Sequence, residues 1–286
     1  MYPASFEYHR AASIKDALSM LKQFGDEAKL LAGGHSLIPM MKLRLAQPAH
    51  LIDIGPIKDL SMIREDGAVI DIGGLATHAD VESSAVVKQK LAMLSECAAL
   101  IGDVQVRNRG TIGGSLAHAD PAADYPAAIL ALEAEIKVES ESGARTIKAE
   151  DFFVDLMTTS MRSGEILTHV RIAPTASGAG AAYLKYRQPA SGFATVGVAA
   201  VVTMKGGNFD MVRVGVTGLA AKAFRAKAVE SALSGKGRGA IVSAATHAAD
   251  AIDVMSDIHA SAEFRAELAR VYTARAIELA ASRAKS

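Results

Sequence analysis

Hydrophobic and polar positions follow two different periods at the start of this chain. After Ser13 the apolar residues recur at helical spacing, which predicts a helix capped by that serine and ending near Gly25. Short apolar runs at 28–32 and 51–54 predict two strands, because runs of this length bounded by turn residues are typical of buried strands. A glycine–proline break then predicts the end of a first subdomain, residues 1–55.

The middle of the chain, residues 56–175, combines alternating stretches with helical ones and is predicted to form a second subdomain. A hairpin is expected at the Asp66–Gly67 turn, and a linker rich in glycine, alanine and serine is expected at 173–181. The predicted elements are strands at 63–65, 68–74, 135–139, 145–147 and 165–172 and helices at 77–87, 91–101 and 126–133.

The last third, residues 176–286, changes from β-branched runs to alanine-rich helical patterns. The runs at 194–204 and 211–216 flank Lys205-Gly206-Gly207-Asn208, which predicts a hairpin. Helices are expected at 220–233, 240–252 and 262–281. Antiparallel strands followed by helices predict an α+β domain, and the whole chain is therefore assigned to the α+β class.

Composition narrows the function classes. The 31 basic and 31 acidic side chains cancel, and the absence of a long single-sign block argues against nucleic acid or an anionic membrane surface as the main partner. The single cysteine, Cys97, excludes an internal disulfide and an iron–sulfur cluster ligated by this chain alone. The sequence shows neither a leader pattern nor a long apolar run, so we expect no membrane span and a cytoplasmic location.

Two glycine pairs carry the candidate chemistry. One lies in the segment 30–37 and the other in 111–115, and each stands between a hydrophobic run and a small hydroxyl residue. Glycine allows positive φ and lets an anion approach consecutive backbone amides. Two such loops therefore predict that both bind one diphosphate, from opposite sides. Asp120 and Asp124 follow the second pair, where carboxylates can accept hydrogen bonds from sugar hydroxyls. A dinucleotide is the predicted ligand.

Other motifs have simpler interpretations. Gly73-Gly74 and Gly206-Gly207 are predicted to be turns, and the glycines of 235–239 are predicted to form an interhelical loop. His118 and Asp120 could be a base with its orienting carboxylate or two metal ligands, but no third ligand follows in register, which disfavours a metal. His35 is open to two interpretations, a donor to a phosphate or a cap for the next helix.

With these loops placed, the chain resembles the FAD-binding medium subunit of the molybdenum hydroxylases, the family of xanthine dehydrogenase, aldehyde oxidase and aerobic carbon-monoxide dehydrogenase. The resemblance is strongest to the carbon-monoxide dehydrogenase type. It implies a two-lobed FAD-binding domain, of the PCMH or vanillyl-alcohol-oxidase-like type, followed by a C-terminal α+β domain. The segments that carry it are Phe6-Glu7-Tyr8-His9, Ala32-Gly33-Gly34-His35-Ser36, Arg107-Asn108-Arg109-Gly110 and Thr111-Ile112-Gly113-Gly114.

The resemblance also implies roles for single residues. Ile101 would contact the flavin ring system, Leu167 the rim of the site, and Lys185 and Thr195 the flavin edge, while Asp124 would bind a sugar hydroxyl. Phe193 stands where the carbon-monoxide enzymes carry a tyrosine over the ring, so a hydroxyl is lost and an aromatic ring is kept. The residues implied to hold the pyrophosphate are Leu30, Leu31, Ala32, Gly33, Gly34, His35, Ser36, Leu37, Thr111, Gly113, Gly114 and Ser115.

For function, the resemblance implies an electron-transfer subunit without a catalytic side chain of its own. Electrons would come from the [2Fe-2S] clusters of a small partner subunit, after substrate hydroxylation on a large molybdopterin subunit, and would leave FAD for an external acceptor. A dimer of heterotrimers is the implied assembly. Two alternatives stay open: a stand-alone FAD-dependent oxidase or dehydrogenase, and an assembly subunit without flavin.

Overall fold

The first 55 residues form a small parallel sheet flanked by helices. In the computed structural model, which describes residues 1–285, the strand order is β1-β3-β2. The elements are β1 (Glu7–Arg10), α1 (Ile14–Phe24), β2 (Ala28–Leu31), α2 (Leu37–Lys42) and β3 (His50–Asp53). Ser13 caps α1 by accepting a hydrogen bond from the Asp16 amide, as predicted, and the helix ends at Gly25. β1 was not predicted from the pattern.

The middle of the chain forms a five-stranded antiparallel sheet in the order β4-β5-β10-β6-β7. Its strands are β4 (Ile63–Asp66), β5 (Val69–Gly73), β6 (Glu135–Ser140), β7 (Gly143–Lys148) and β10 (Ile166–Ile172), and a small hairpin is formed by β8 (Phe153–Asp155) and β9 (Thr158–Thr159). Its helices are α3 (His78–Ser83), α4 (Ala85–Lys90), α5 (Ala92–Ala99), α6 (Val104–Arg107), α7 (Ile112–His118), α8 (Tyr125–Ala131) and α9 (Ala149–Phe152).

The prediction of one continuous helix over 77–87 is wrong. Thr77 and Asp80 form the capping box that starts α3, but the chain becomes extended at Ser84, with ψ of 124°. The Ser84 side chain then accepts from the Val87 amide and starts α4. A second N-cap inside the apolar pattern therefore divides one predicted helix into two.

The C-terminal region is a four-stranded antiparallel sheet packed between two layers of helices. Strands follow one another in the order β11 (Gly180–Arg187), β12 (Ala194–Lys205), β13 (Asn208–Thr217) and β14 (Phe224–Arg225), and the helices are α10 (Lys227–Leu233), α11 (Ile241–Ala245) and α12 (Ala262–Arg283). One face of the sheet packs on α12, and the other contacts α5 and α8 of the middle region. This second contact buries apolar side chains of both regions in one core.

Three predictions for this region are wrong. The predicted linker 173–181 is two residues too long, because β11, which was not predicted, begins at Gly180: glycine and alanine there carry little strand signal, while pairing with β12 along the whole strand holds it extended. The predicted helix 220–233 begins only at Lys227, because Phe224 and Arg225 pair with β13. The predicted helix 240–252 contains α11 and then a 3-10 turn over 246–249. The division into 1–55, 56–175 and 176–286 stays a prediction.

Candidate functional site

A cavity of about 520 Å³ lies between the loops of the parallel sheet and those of the five-stranded sheet. This volume is within the range of about 300–1,000 Å³ that small-molecule and cofactor sites occupy. The predicted site residues that line it are Leu30, Ala32, Gly33, Gly34, His35, Ser36, Leu37, Ile101, Thr111, Gly113, Gly114, Ser115, Asp120, Asp124, Leu167 and Phe193. The two glycine loops, distant in sequence, therefore share one cavity.

The first glycine loop, defined as residues 33–37, presents open backbone amides. It follows β2 and leads into α2, and none of its amides donates to a protein acceptor within residues 1–285. No side chain caps α2, which removes the capping interpretation of His35. Gly34 has φ of 78°, a left-handed conformation that favours glycine. Consecutive unpaired amides of this kind form a site for an anionic group such as a diphosphate.

Gly33 is required by a close backbone contact. A Cβ atom at this position would lie 2.0 Å from the carbonyl oxygen of Arg109 and 2.9 Å from Cα of Gly110. The first loop therefore packs directly on the segment that precedes the second loop. Across the same gap, a Cβ on Gly114 would lie 3.9 Å from Cβ of Ala32. The two loops are adjacent walls of the cavity.

The second glycine loop, residues 111–115, differs from the expected amide cup. Most of its amides are already bonded to the protein: Gly113 donates to the Gly74 carbonyl at 2.9 Å, Gly114 to Thr111 Oγ1 at 3.1 Å, and Ser115 to the Thr111 carbonyl at 3.0 Å. These bonds form the capped start of α7. Neither Gly113 nor Gly114 has positive φ within the described chain. The second loop therefore supplies a closely packed wall, while the consecutive amides without a protein acceptor lie in the first loop.

Gly73-Gly74 begins a turn, as predicted, closed by the Ala76 amide donating to the Gly73 carbonyl at 2.9 Å, but it does more than reverse the chain. Gly73 ends β5, and Gly74 lines the cavity. The Gly74 amide donates to the Thr168 carbonyl on β10 at 2.7 Å, and its carbonyl accepts from Gly113. A Cβ on Gly113 would lie 2.5 Å from that carbonyl oxygen. This glycine pair thus ties the second loop to the five-stranded sheet. Gly206 and Gly207 do form the predicted hairpin turn between β12 and β13.

Of the two candidate acids, Asp124 is the more restrained. Its carboxylate is buried and accepts from the Tyr183 hydroxyl at 2.5 Å and from Lys185 Nζ at 2.9 Å. Burial raises the pKa of Asp124, and the nearby Lys185 and Tyr183 oppose that rise. Asp120 uses one carboxylate oxygen to accept from the Ala122 amide at 2.8 Å. Both acids line the cavity, and their contact with sugar hydroxyls stays a prediction.

Three predicted site residues lie outside the cavity lining. Lys185 was expected at the flavin edge, but its ammonium group donates to the carbonyls of Leu100 and Gly192 and to Asp124, so no proton is left for a ligand. The Thr195 carbonyl accepts from buried Arg265 at 2.6 Å. Leu31 belongs to β2 and pairs with β3. Lys185 instead joins the segment before Ile101 to the loop before Phe193 and so positions two parts of the cavity wall.

Sequence reasoning missed several lining residues, and His78 is the most informative of them. It is 5% exposed, and its Nδ1 atom is buried without a hydrogen-bond partner among residues 1–285. Burial, followed by the charges of His35 and Arg107, lowers the pKa of His78 from 6.5 to about 4. The imidazole is therefore neutral at physiological pH. Its position after the Thr77 cap gave no functional signal; the other missed residues include Gly102, Met161, Ile166 and Gly192.

The remaining candidate residues are His118, Asp120 and Cys97. His118 and Asp120 line the cavity, but within the described residues they belong to no group of three potential metal ligands. Cys97 is fully buried in α5, and burial raises the pKa of its thiol, so it is a core residue as predicted. No helix within residues 1–285 combines the length and apolar character needed to cross a bilayer.

The fold and the cavity together define a protein with a cofactor-sized site, bordered by a loop whose backbone amides have no protein acceptor within residues 1–285. The family model described as FAD binding domain in molybdopterin dehydrogenase matches residues 4–175, and CO dehydrogenase flavoprotein C-terminal domain matches residues 181–280. The chain belongs to this family of FAD-binding oxidoreductase subunits, and its cofactor is FAD. The open amides of the first loop and the cavity size fit that cofactor.

Relatives match along nearly the whole chain. It is 40% identical to the carbon monoxide dehydrogenase medium chain of Hydrogenophaga pseudoflava over 99% of each chain. It is 37% identical to the 6-hydroxypseudooxynicotine dehydrogenase complex subunit alpha of Paenarthrobacter nicotinovorans, covering 100% of this chain and 97% of the relative.

Solved structures agree with this assignment. The chain superposes on carbon monoxide dehydrogenase from Hydrogenophaga pseudoflava, in a form that lacks the Mo-pyranopterin moiety of the molybdenum cofactor, with a TM-score of 0.97, 42% identity and coverage of 100% of both chains. It superposes on quinoline 2-oxidoreductase from Pseudomonas putida 86 with a TM-score of 0.93, 31% identity and coverage of 99% of both chains.

Proposed function

We propose that this chain is the FAD-carrying electron-transfer subunit of a molybdenum-containing hydroxylase complex. It would receive electrons from [2Fe-2S] clusters of a partner subunit and deliver them to an external acceptor. The observation that carries the proposal is the cavity whose first loop, residues 33–37, offers unpaired amides beside the second glycine loop. The full-length similarity to medium chains of dehydrogenases supports the same role.

The chain's own residues bind and position the cofactor. The amides of Gly33 to Leu37 would hold the diphosphate, and Asp120 would accept from a sugar hydroxyl through its second carboxylate oxygen. Ile101, Leu167 and Phe193 would contact the apolar parts. When bound, FAD would supply a redox centre that can take up electrons one at a time and release them as a pair. No side chain of this chain is assigned a proton-transfer step.

Partner subunits follow from what this chain can and cannot ligate. Its one cysteine is buried in the core, so this chain cannot supply the thiolates of a [2Fe-2S] cluster. Relatives named as a medium chain and as a complex subunit support an assembly of several chains. We infer a small [2Fe-2S] subunit and a large molybdopterin subunit, in a dimer of heterotrimers located in the cytoplasm.

The substrate is a property of the proposed large subunit. The similar relatives belong to enzymes named for carbon monoxide, 6-hydroxypseudooxynicotine and glyceraldehyde, so related chains occur in enzymes with chemically different substrates. This variety is expected if the substrate binds on another chain and the medium chain handles only electrons. Similarity to the carbon monoxide enzymes therefore supports the subunit type. The identity of the substrate depends on the partner subunit.

The proposal is tested by expressing the full chain together with the products of the genes that flank its own. Copurification with subunits that contain iron and molybdenum, at one FAD for each copy of this chain, is the expected result. A chain that purifies alone and whose flavin is reduced directly by an organic substrate would identify a stand-alone oxidase or dehydrogenase. A complex with iron and molybdenum but no FAD would identify an assembly subunit. Either of these last two results overturns the proposal.

A further inference from the structure

Three potential metal ligands converge on the parallel sheet, outside the residues that line the cavity. Glu7 and His9 lie two residues apart on β1, so their side chains share one face of the strand. β1 runs parallel to β3, and Glu7 is the register partner of His50. The pairing of the two strands therefore brings a carboxylate and two imidazoles together on one surface.

The distances among the three groups match the ligand shell of a small cation. His9 Nε2 lies 3.0 Å from His50 Nδ1, and Glu7 Oε2 lies 3.8 Å from His9 Nε2 and 3.4 Å from His50 Nδ1. Ligands about 2.1 Å from a tetrahedral zinc ion are about 3.4 Å apart. The three observed distances bracket this value, so an ion can contact all three atoms with little side-chain movement.

The two imidazole rings are held in place by an aromatic side chain. Phe24, at the end of α1, stacks on His9 with ring centroids 4.5 Å apart and on His50 at 4.0 Å. The side chains of His9 and His50 are 23% and 18% exposed, whereas that of Glu7 is 74% exposed. Two fixed nitrogen donors and one mobile, solvent-facing carboxylate leave access for an ion from solution.

We propose that Glu7, His9 and His50 bind a Zn²⁺ ion that links β1 to β3. Two imidazoles and a carboxylate are a donor set that zinc accepts, with water completing the fourth position. The ion would replace the single hydrogen bond that two neutral imidazoles can form with each other. It would also balance the Glu7 charge, which at this exposed position gains little from an imidazole alone. The three ligands lie outside the residues that line the cavity, so zinc binding here is independent of FAD binding.

The test is zinc binding by the full, tag-free chain, after treatment with a chelator and its removal, measured by competition with a chromophoric chelator. We expect one Zn²⁺ per wild-type chain. Substitutions His9→Ala and His50→Ala remove a ligand and are each expected to weaken binding by about 100-fold or more, because even the loss of an outer-shell partner costs about 10–100-fold. Glu7→Gln is expected to weaken it by at least about tenfold.

The matched control is His247→Ala. It removes an exposed histidine in the C-terminal region, whose imidazole contacts the Asp250 carboxylate. It is expected to bind zinc like the wild type. Zinc should also raise the thermal unfolding temperature of the wild type and of His247→Ala, but not that of His50→Ala. Where an alanine variant does not fold, the wild type is titrated with Co²⁺ and its visible absorption is measured. A site with these ligands is expected to give the absorption of four-coordinate cobalt. Two results would overturn the proposal and leave only a histidine–histidine hydrogen bond. One is a wild-type chain that shows neither stoichiometric zinc binding nor this absorption. The other is folded His9→Ala and His50→Ala chains that bind zinc as tightly as the wild type.

Discussion

The carbonyl oxygen of Arg109 lies 2.0 Å from the position that a Cβ atom on Gly33 would occupy. The first glycine loop can therefore pack on the segment before the second loop only while residue 33 has no side chain. This contact places the open amides of residues 33–37 against the cavity that the second loop borders. The geometry of the proposed diphosphate site thus depends on a backbone-to-backbone contact between distant parts of the sequence.

The substitution Gly33→Ala should weaken FAD binding. The added methyl group cannot fit beside Arg109, so the first loop must move, at a cost of roughly 1–3 kcal/mol. This movement displaces the amide donors. We expect the FAD dissociation constant, measured by flavin fluorescence titration, to rise by about tenfold or more. The control is Gly239→Ala, where the new Cβ meets no atom within 4 Å and φ is not positive. Unchanged FAD affinity in Gly33→Ala would contradict the role given to this contact.

Lys185→Met should destabilise the folded chain. The side chains of Lys185 and Asp124 are only 3% and 5% exposed, and the substitution leaves a buried carboxylate without its cation. Removing one member of a buried ion pair costs about 3–5 kcal/mol in the free energy of unfolding. Urea denaturation measures the change.

Two companion variants separate this effect from a general loss of packing. The double variant Lys185→Met with Asp124→Asn should recover part of the stability, because the uncompensated charge is gone. Lys222→Met alters an exposed lysine and should change the free energy of unfolding by less than about 0.5 kcal/mol. A Lys185→Met chain as stable as the Lys222→Met chain would show that the buried pair does not hold the cavity wall together.

Acidification should destabilise the chain through His78. Its pKa is about 4 in the folded chain and close to 6.5 when unfolded, so between these values the unfolded chain binds a proton that the folded chain does not. The free energy of unfolding therefore falls as the pH falls through this window, by roughly 3 kcal/mol in full. His78→Gln should remove most of that pH dependence in urea denaturation at neutral pH and at about pH 4.5. An identical pH dependence in both proteins would exclude His78 as its source.

Phe193 should contribute to FAD affinity and little to folding. Its ring lines the cavity yet is 47% exposed, so a flavin can cover surface that the free chain leaves in water. Phe193→Leu keeps an apolar side chain but loses the ring, and loss of aromatic stacking of about 0.5–1.5 kcal/mol corresponds to a rise of about 2–10-fold in the FAD dissociation constant. Phe193→Tyr should retain the affinity. A leucine variant that binds FAD as tightly as the tyrosine variant would remove the stacking role.

Local signals in the sequence predicted much of the fold. Ser13 before a helical pattern identified α1, because an N-cap acts within one turn. β11 was hidden, because its glycine and alanine residues are held extended by β12 and α12 and not by their own preference. Phe224 and Arg225 were assigned to a helix for a similar reason, since only pairing with β13 distinguishes them.

The candidate site was predictable in its position and less so in its detail. The glycine pairs located both walls of the cavity, because their residue types restrict backbone geometry directly. That Gly113 donates to Gly74, and that Lys185 donates all its protons to the protein, depends on tertiary neighbours that no local pattern specifies. These contacts leave the run of consecutive free amide donors in the first loop.

The most direct test of this account is an experimental structure of the chain with FAD bound. We predict that the diphosphate oxygens accept hydrogen bonds from the amides of residues 33–37, within about 3.2 Å, while the amides of Gly113 and Gly114 keep their bonds to Gly74 and Thr111. A diphosphate bound elsewhere, with the amides of residues 33–37 facing only solvent, would contradict the central claim.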